Sequence, residues 1–158
     1  MLHLLLSSRP VRFIMLNESG SQIDEEFLEY FVIESSEVLV NLKEFMRNYT
    51  DQSEHGNFEQ FGQQVDRIMG AAYTLSLKFV GDLARTGKEL GYKSSQISEI
   101  NKLLAVQSLL SQLTKALDLI VKNYSKGIQP NFKELEPLLK RLQKASKDMG
   151  NLRTTVKL

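Results

Sequence analysis

Apolar residues recur along most of the chain at spacings of three and four, and no segment alternates apolar and polar residues as a half-buried strand would. Five segments carry this helical period, at about 21–49, 57–80, 82–92, 98–124 and 131–149. The polar stretches between them are short, which favours antiparallel neighbours. The pattern predicts an all-α protein, an antiparallel up-down four-helix bundle with an additional C-terminal helix.

Capping residues and glycines set the predicted helix boundaries. Three pairs with capping-box spacing mark helix starts: Ser21 with Asp24, Asn57 with Gln60, and Asn131 with Glu134. Gly81 is expected to break the chain between the second and third helices. Gly127, followed by a proline, is expected to end the fourth helix, and Gly150 the fifth.

The chain of 158 residues suits one globular domain, because neither an internal repeat nor a long linker divides it. We expect that domain to span residues 17–149, followed by a loose tail at 150–158. Met15 begins a segment that reads like a natural start. Residues 1–16 are therefore interpreted as an N-terminal arm or as a mis-annotated extension.

Two helices differ in how their apolar residues are distributed. The fourth predicted helix has a single stripe of apolar residues with heptad spacing. The second has a core stripe and, roughly 120° away, a third face with further apolar residues. The stripe of the second helix consists of Phe61, Val65, Ile68, Ala72, Leu75 and Phe79. Its third face consists of Gly62, Asp66, Met69, Tyr73, Leu77 and Val80. Another part of the chain covers this third face, or it is an exposed patch for a partner.

Composition removes several kinds of chemistry. The chain has no cysteine, which excludes disulfides, thiolate catalysis and cysteine-bound metals. Its two histidines, His3 and His55, lie outside the strong helical pattern. We find neither a glycine-rich phosphate loop nor carboxylates that repeat across several helices. The sequence therefore predicts a protein that is not an enzyme and that has no cofactor and no metal site.

Charge is balanced overall and segregated along the chain. The formal net charge is +1, which argues against a nucleic-acid partner. Residues 17–60 carry eleven acidic and two basic side chains, whereas residues 126–158 carry eight basic and three acidic ones. No apolar run approaches the ~20 residues that span a membrane, so a membrane partner is not expected either. Opposite charges on packed helix faces, or an acidic face for a basic partner, both account for the segregation.

Three stretches of the chain resemble histidine-phosphotransfer (HPt) domains, including the N-terminal phosphotransfer domain of chemotaxis histidine kinases. The acidic, Phe/Leu-rich segment 23–42 resembles the opening helix of that family, and 83–90 resembles a later helix. The segment Ala-Ala-Tyr-Thr-Leu-Ser-Leu at 71–77 resembles the signature Ala-His-Thr-Leu-Lys-Gly, whose His accepts the phosphoryl group. The resemblance covers about residues 22–125, and it implies an HPt-like bundle.

The departures from that signature fall on its chemistry. Tyr73 stands at the phosphoacceptor position, Ser76 replaces the assisting Lys, and Leu77 replaces the Gly. A phenol is neutral at pH 7 and is not a ready phosphoryl acceptor, unlike imidazole. The resemblance therefore implies a domain that has lost phosphotransfer and kept the surface to which receiver domains dock.

These observations predict a non-catalytic signalling module in the cytoplasm that binds a response-regulator receiver domain without relaying phosphate. The predicted partner-binding residues are Met69, Gly70, Tyr73, Ser76, Leu77 and Val80. The alternative is a structural helical bundle that forms a homodimer through the face of Tyr73.

Overall fold

A computed structural model of the chain describes the backbone of residues 14–48 and 55–157 and the side chains of 14–47 and 57–150. Within those ranges the protein is an all-α helical bundle without a strand, as the sequence pattern predicts. Its helices are α1 (Glu25–Asn48), α2 (His55–Thr74), α3 (Lys78–Ser94), α4 (Ile100–Ser125) and α5 (Glu136–Lys157). A single 3-10 turn, Lys133–Leu135, leads into α5.

The first four helices run up and down, and α5 packs along α3. Phe31, near the start of α1, meets Tyr124, at the end of α4, edge to face with ring centroids 6.2 Å apart. This contact between opposite ends makes α1 and α4 antiparallel. Lys93, near the end of α3, donates to the carbonyl of Ser146 in the later part of α5 at 2.7 Å. Since Phe79 at the start of α3 stacks on Phe132 just before α5, these two helices are parallel.

The core lies between the apolar stripes of α1 to α4, with α5 closing one side. The predicted heptad stripe of α4 is confirmed, because every member is buried. These residues are Leu103, Val106, Leu110, Leu113, Leu117, Ile120 and Tyr124. Among the described residues, α4 is the one helix long and apolar enough by composition to cross a membrane. The buried stripe accounts for part of that composition, since 44% of the apolar window is buried.

The start of α1 differs from the prediction. The helix begins at Glu25 rather than near Ser21, because the carboxylate of Asp24 caps it. The Asp24 Oδ1 atom accepts the backbone N–H groups of Glu26 and Phe27 at 2.9 and 3.1 Å. Ser21 instead belongs to a preceding turn, where its backbone N–H donates to the side chain of Asn17. Asp24 is thus the N-cap itself, which satisfies donors that would otherwise lack a partner.

The chain before α1 is attached to the bundle as far back as Met15. Met15 is buried, and Leu16 exchanges two hydrogen bonds of 3.1 Å with the side-chain amide of Gln129. The carboxylate of Glu18 accepts the backbone N–H of Phe79 at the start of α3. Met15 and Leu16 of the predicted arm therefore contact the bundle. Residues 1–13, with His3, lie outside the described residues.

The predicted end of the last helix at Gly150 is wrong, because α5 continues to Lys157. A glycine ends a helix when it takes a left-handed conformation, but Gly150 stays within the helical backbone. A Cβ added there would lie 3.2 Å from the ammonium of Lys93. The missing side chain of Gly150 thus makes room for Lys93.

Candidate docking site

A helix break divides the six residues predicted to bind a partner. Met69, Gly70 and Tyr73 lie in α2, whereas Val80 lies in α3. The helix ends at Thr74, six residues before its predicted end at Val80, so the angular count fails beyond that point. Leu77 and Val80 are 0% exposed and belong to the core. Their assignment as partner-binding residues is therefore wrong for the folded bundle.

The break is a left-handed turn at Ser76, not the predicted break at Gly81. Ser76 has φ +59°, the one non-glycine residue with positive φ in the described part of the chain. The N–H of Leu77 donates to the carbonyl of Ala72, and that of Ser76 to the carbonyl of Tyr73. This pair of bonds is the Schellman motif, in which the left-handed position is usually glycine. Gly81 lies inside α3 instead.

Tyr73 lies against α3. A Cβ added to Gly81 would fall 2.3 Å from the Tyr73 ring, so the ring occupies the space that a side chain would need. The Tyr73 hydroxyl donates a 2.6 Å hydrogen bond to Oδ1 of Asp82. Burial, and then this bond to a carboxylate, raise the pKa of the Tyr73 phenol, although Arg85 beside it acts in the opposite direction. Tyr73 is therefore a neutral donor held by α3.

The rest of the third face is covered by α3 as well. Gly91 approaches the α2 backbone so closely that an added Cβ would be 2.6 Å from the carbonyl of Phe58 and 2.9 Å from the nitrogen of Gly62. Lys88 forms a 2.9 Å ion pair with Asp66. Of the two interpretations of this face, cover by another helix is the one that the structure supports. Tyr73 itself is half-buried, so part of its side chain stays accessible beside α3.

What remains open from the predicted set lies on the other flank of α2. Gly70 is exposed, and nothing lies within 4 Å of the position where its Cβ would be. Ser76 is also exposed, whereas Met69 is half-buried and packs against the core. The open part of the candidate site is therefore Gly70 and the turn around Ser76.

The first helix supplies the neighbour of this open flank. Asn41 of α1 donates to Gln64 of α2 at 3.1 Å, and Glu34 lies 3.6 Å from Arg67. The later residue of α1 thus contacts the earlier residue of α2, as expected for antiparallel helices. Counted two turns further on from the Glu34–Arg67 pair, Phe27 comes about level with Thr74. We define the docking face as Phe27, Gly70, Thr74 and Ser76. Sequence reasoning missed Phe27, because its spacing fits the apolar stripe of α1.

A polar cleft lies on the opposite side, between α3 and α5. It has a volume of about 460 Å³ and contains four cations and two carboxylates. Its lining residues are Lys78, Asp82, Arg85, Thr86, Glu89, Lys93, Gln143, Ser146 and Lys147. The buried Ser146 hydroxyl donates to Glu89 at 3.0 Å and accepts from Lys93 at 3.0 Å. These bonds between lining residues make the cleft a packing seam that joins α5 to α3.

Within the described residues, no group of three or more His, Asp or Glu side chains is placed to hold a metal ion. Of the two histidines in the sequence, His55 begins α2, and its side chain lies outside the described residues. No family model, no curated protein and no solved structure matches the chain. The geometry of the docking face is therefore the basis for a proposed function.

Proposed function

We propose that this protein is a non-catalytic docking module of cytoplasmic signalling, an HPt-like bundle that binds a receiver domain without relaying a phosphoryl group. The observation that carries the proposal is Phe27, a large aromatic side chain that is 61% exposed. The register of α1 and α2 sets it about one turn from the open backbone of Gly70. Exposed aromatic residues beside small ones suit docking, because they combine a large contact area with close approach of a partner's backbone.

The surroundings of Tyr73 support the absence of phosphotransfer. Its hydroxyl is already engaged with the Asp82 carboxylate at 2.6 Å. A phosphoryl group on that oxygen would place a charge of about −2 beside the Asp82 carboxylate. Since the pKa of the phenol is raised, the nucleophilic phenolate is also disfavoured. The position that the HPt resemblance assigns to phosphate chemistry instead holds α2 and α3 together.

The location of the docking face supports a partner of folded-domain size. It lies at the end of the bundle where the segment before α1, the α2–α3 turn and the α4–α5 connection meet. Glu18 reaches Phe79 there, and Leu16 reaches Gln129. These contacts hold the backbone around the face, so a partner meets a surface that is already formed. A formed surface reduces the entropy that binding costs.

The test is a binding titration of the full chain against purified receiver domains of the source organism, each with and without beryllofluoride to imitate the phosphorylated Asp. We expect at least one receiver to bind and Phe27→Glu to weaken it by about tenfold or more, as for a hot-spot residue. Leu104→Glu on α4 is the matched control, since Leu104 is also an exposed apolar residue and acquires the same charge.

Tyr73→Phe is a second control. The Tyr73 hydroxyl is bound to α3, so its removal should leave the affinity for the receiver unchanged. The proposal fails if no receiver binds at submillimolar concentration. It also fails if Phe27→Glu and Leu104→Glu weaken binding equally.

A further inference from the structure

The outward side of α1 carries apolar residues that no part of the described chain covers. Tyr30, Ile33 and Val40 are 69, 62 and 62% exposed. The spacings of three and seven between them keep all three on one side of the helix. We call these three residues the outer row. The core residues of α1, among them Val38 and Leu42, lie on the opposite side of the helix.

The outer row has the spacing of a coiled-coil seam. Positions 30, 33, 37, 40 and 44 follow steps of three and four, which is the heptad alternation of a and d positions. Glu37 and Glu44 occupy the two positions of this series that are not apolar. The seam therefore presents apolar side chains interspersed with carboxylates over about four turns of helix.

The charges around the row select the partner. Glu26 and Glu29 lie beside its first residue, so four carboxylates surround three apolar side chains. Two arginines offset part of this charge: Arg67 of α2 lies 3.9 Å from Glu37, and Arg47 occupies the next position of the series. The ammonium of Lys43 is bound to Asp118 of α4 at 2.9 Å. The face therefore keeps an excess of carboxylates, and a second copy of it would add like charge, which costs free energy.

We propose that the outer row binds a basic amphipathic helix of a partner protein. Apolar side chains of that helix would cover Ile33 and Val40, and its Lys or Arg side chains would face Glu37 and Glu44. An amphipathic helix with anchors at this spacing is a common mode of helix recognition. This interface adjoins the docking face, since Tyr30 lies one turn from Phe27, but it does not depend on receiver binding.

The experiment uses the full chain and two fluorescent helical peptides of eighteen residues, followed by anisotropy. One peptide has leucines at three- and four-residue spacing with lysines elsewhere, and the other has glutamates in place of the lysines. The first protein variant is Ile33→Ser with Val40→Ser. The matched control is Ile100→Ser with Leu119→Ser, which removes two half-exposed apolar side chains of α4 at the same net charge.

We expect the lysine peptide to bind the wild type and the α4 control alike. The α1 variant should bind it about tenfold or more weakly, because two apolar anchors are lost. The glutamate peptide should not bind. Circular dichroism and the urea midpoint establish that both variants are folded.

Three results would overturn the proposal. The first is equal affinity of the α1 variant and the α4 control, which would mean that the lysine peptide binds acidic surface without using the row. The second is no binding of the lysine peptide to the wild type. The third is a wild-type dimer in light scattering that the α1 variant dissociates, which would make a second copy the occupant.

Discussion

Two rows of apolar side chains lie off the core stripes of this bundle, and the described residues cover only one of them. The third face of α2 contains Met69 and Tyr73, and α3 packs over it. The outer row of α1 contains Ile33 and Val40, and both stay more than half exposed. In sequence, each row recurs at helical spacing away from the core stripe of its helix. The difference between them comes from the segment next to the row, not from the row itself.

The segment that follows α2 allows α3 to pack closely against α2. Gly91 and Gly81 of α3 have no side chains where α2 passes, and three residues suffice to turn the chain back. A short connection makes consecutive helices antiparallel neighbours, and the glycines let their backbones come near. Within the part of the chain that the structure describes, no such segment lies against the outer row. An apolar row is therefore closed when its neighbour in the chain offers small residues at matching positions.

The largest expected effect comes from filling the closest approach between the two helices. Gly91→Ala would put a Cβ 2.6 Å from the Phe58 carbonyl, a backbone atom that cannot rotate away. We expect the free energy of unfolding to fall by about 3 kcal/mol, measured by urea denaturation.

Gly70→Ala on the open flank of α2 is the matched control for Gly91→Ala. It meets nothing within 4 Å and replaces glycine within a helix, so it should stabilise the protein by about 0.5–1 kcal/mol. Equal effects of the two substitutions would contradict the described cover of the third face.

Gly81→Ala tests the contact with Tyr73. The added methyl would overlap the ring, and we expect a loss of about 2 kcal/mol as the ring shifts and its hydroxyl leaves Asp82. In a Tyr73→Ala background the same substitution should cost less than about 1 kcal/mol, since the obstructing ring is gone. Additive losses in the double variant would show that Tyr73 does not lie over Gly81.

Ser76→Gly should stabilise the protein by about 1 kcal/mol, because the left-handed conformation strains a serine but not a glycine. Gly127, with φ +71°, occupies the same position in the Schellman motif that ends α4. The reverse change, Gly127→Ala, should therefore cost about 1 kcal/mol. The thermal midpoints of the two variants should move in opposite directions, and a shift in the same direction would refute the turn at Ser76.

Tyr73→Phe removes one hydrogen bond and leaves the ring packing intact. We expect a loss of about 1 kcal/mol near neutral pH. Because the folded-state pKa of the phenol is raised, its contribution is complete below the ordinary tyrosine pKa of about 10. That contribution declines as the pH rises through the raised value. The stability difference between wild type and variant should therefore shrink in alkaline solution. A difference that grows with pH would contradict the hydrogen bond from Tyr73 to Asp82.

The smallest effects are expected in the outer row. Ile33→Ser and Val40→Ser should each change the free energy of unfolding by less than about 0.5 kcal/mol, since neither side chain leaves a packed environment. Urea denaturation of the two single variants measures this. A loss of about 2 kcal/mol for either one would mean that the row is covered in the protein as it exists.

The predictable parts of the fold are those where one local signal acts alone. The stripe of α4 and the stop at Gly127 are of this kind. The break after α2 is not, because a serine takes the left-handed position while Gly81 nearby looks like the breaker. That single turn moves Leu77 and Val80 into the core, which no angular count along α2 can anticipate. The docking face depends on register between helices, so Phe27 has no signal in the sequence.

The most direct test of the two rows is hydroxyl-radical footprinting of the whole protein with mass spectrometry, comparing the rings of Tyr30 and Tyr73. Because both are tyrosines, they have the same intrinsic reactivity toward the radical. The ratio of their modification rates therefore reports their relative accessibility. Tyr30 is 69% exposed, whereas Tyr73 is packed on Gly81 and bonded to Asp82. We expect Tyr30 to be modified several times faster. Equal rates, or a faster rate at Tyr73, would contradict the conclusion that α3 covers one row and leaves the other open.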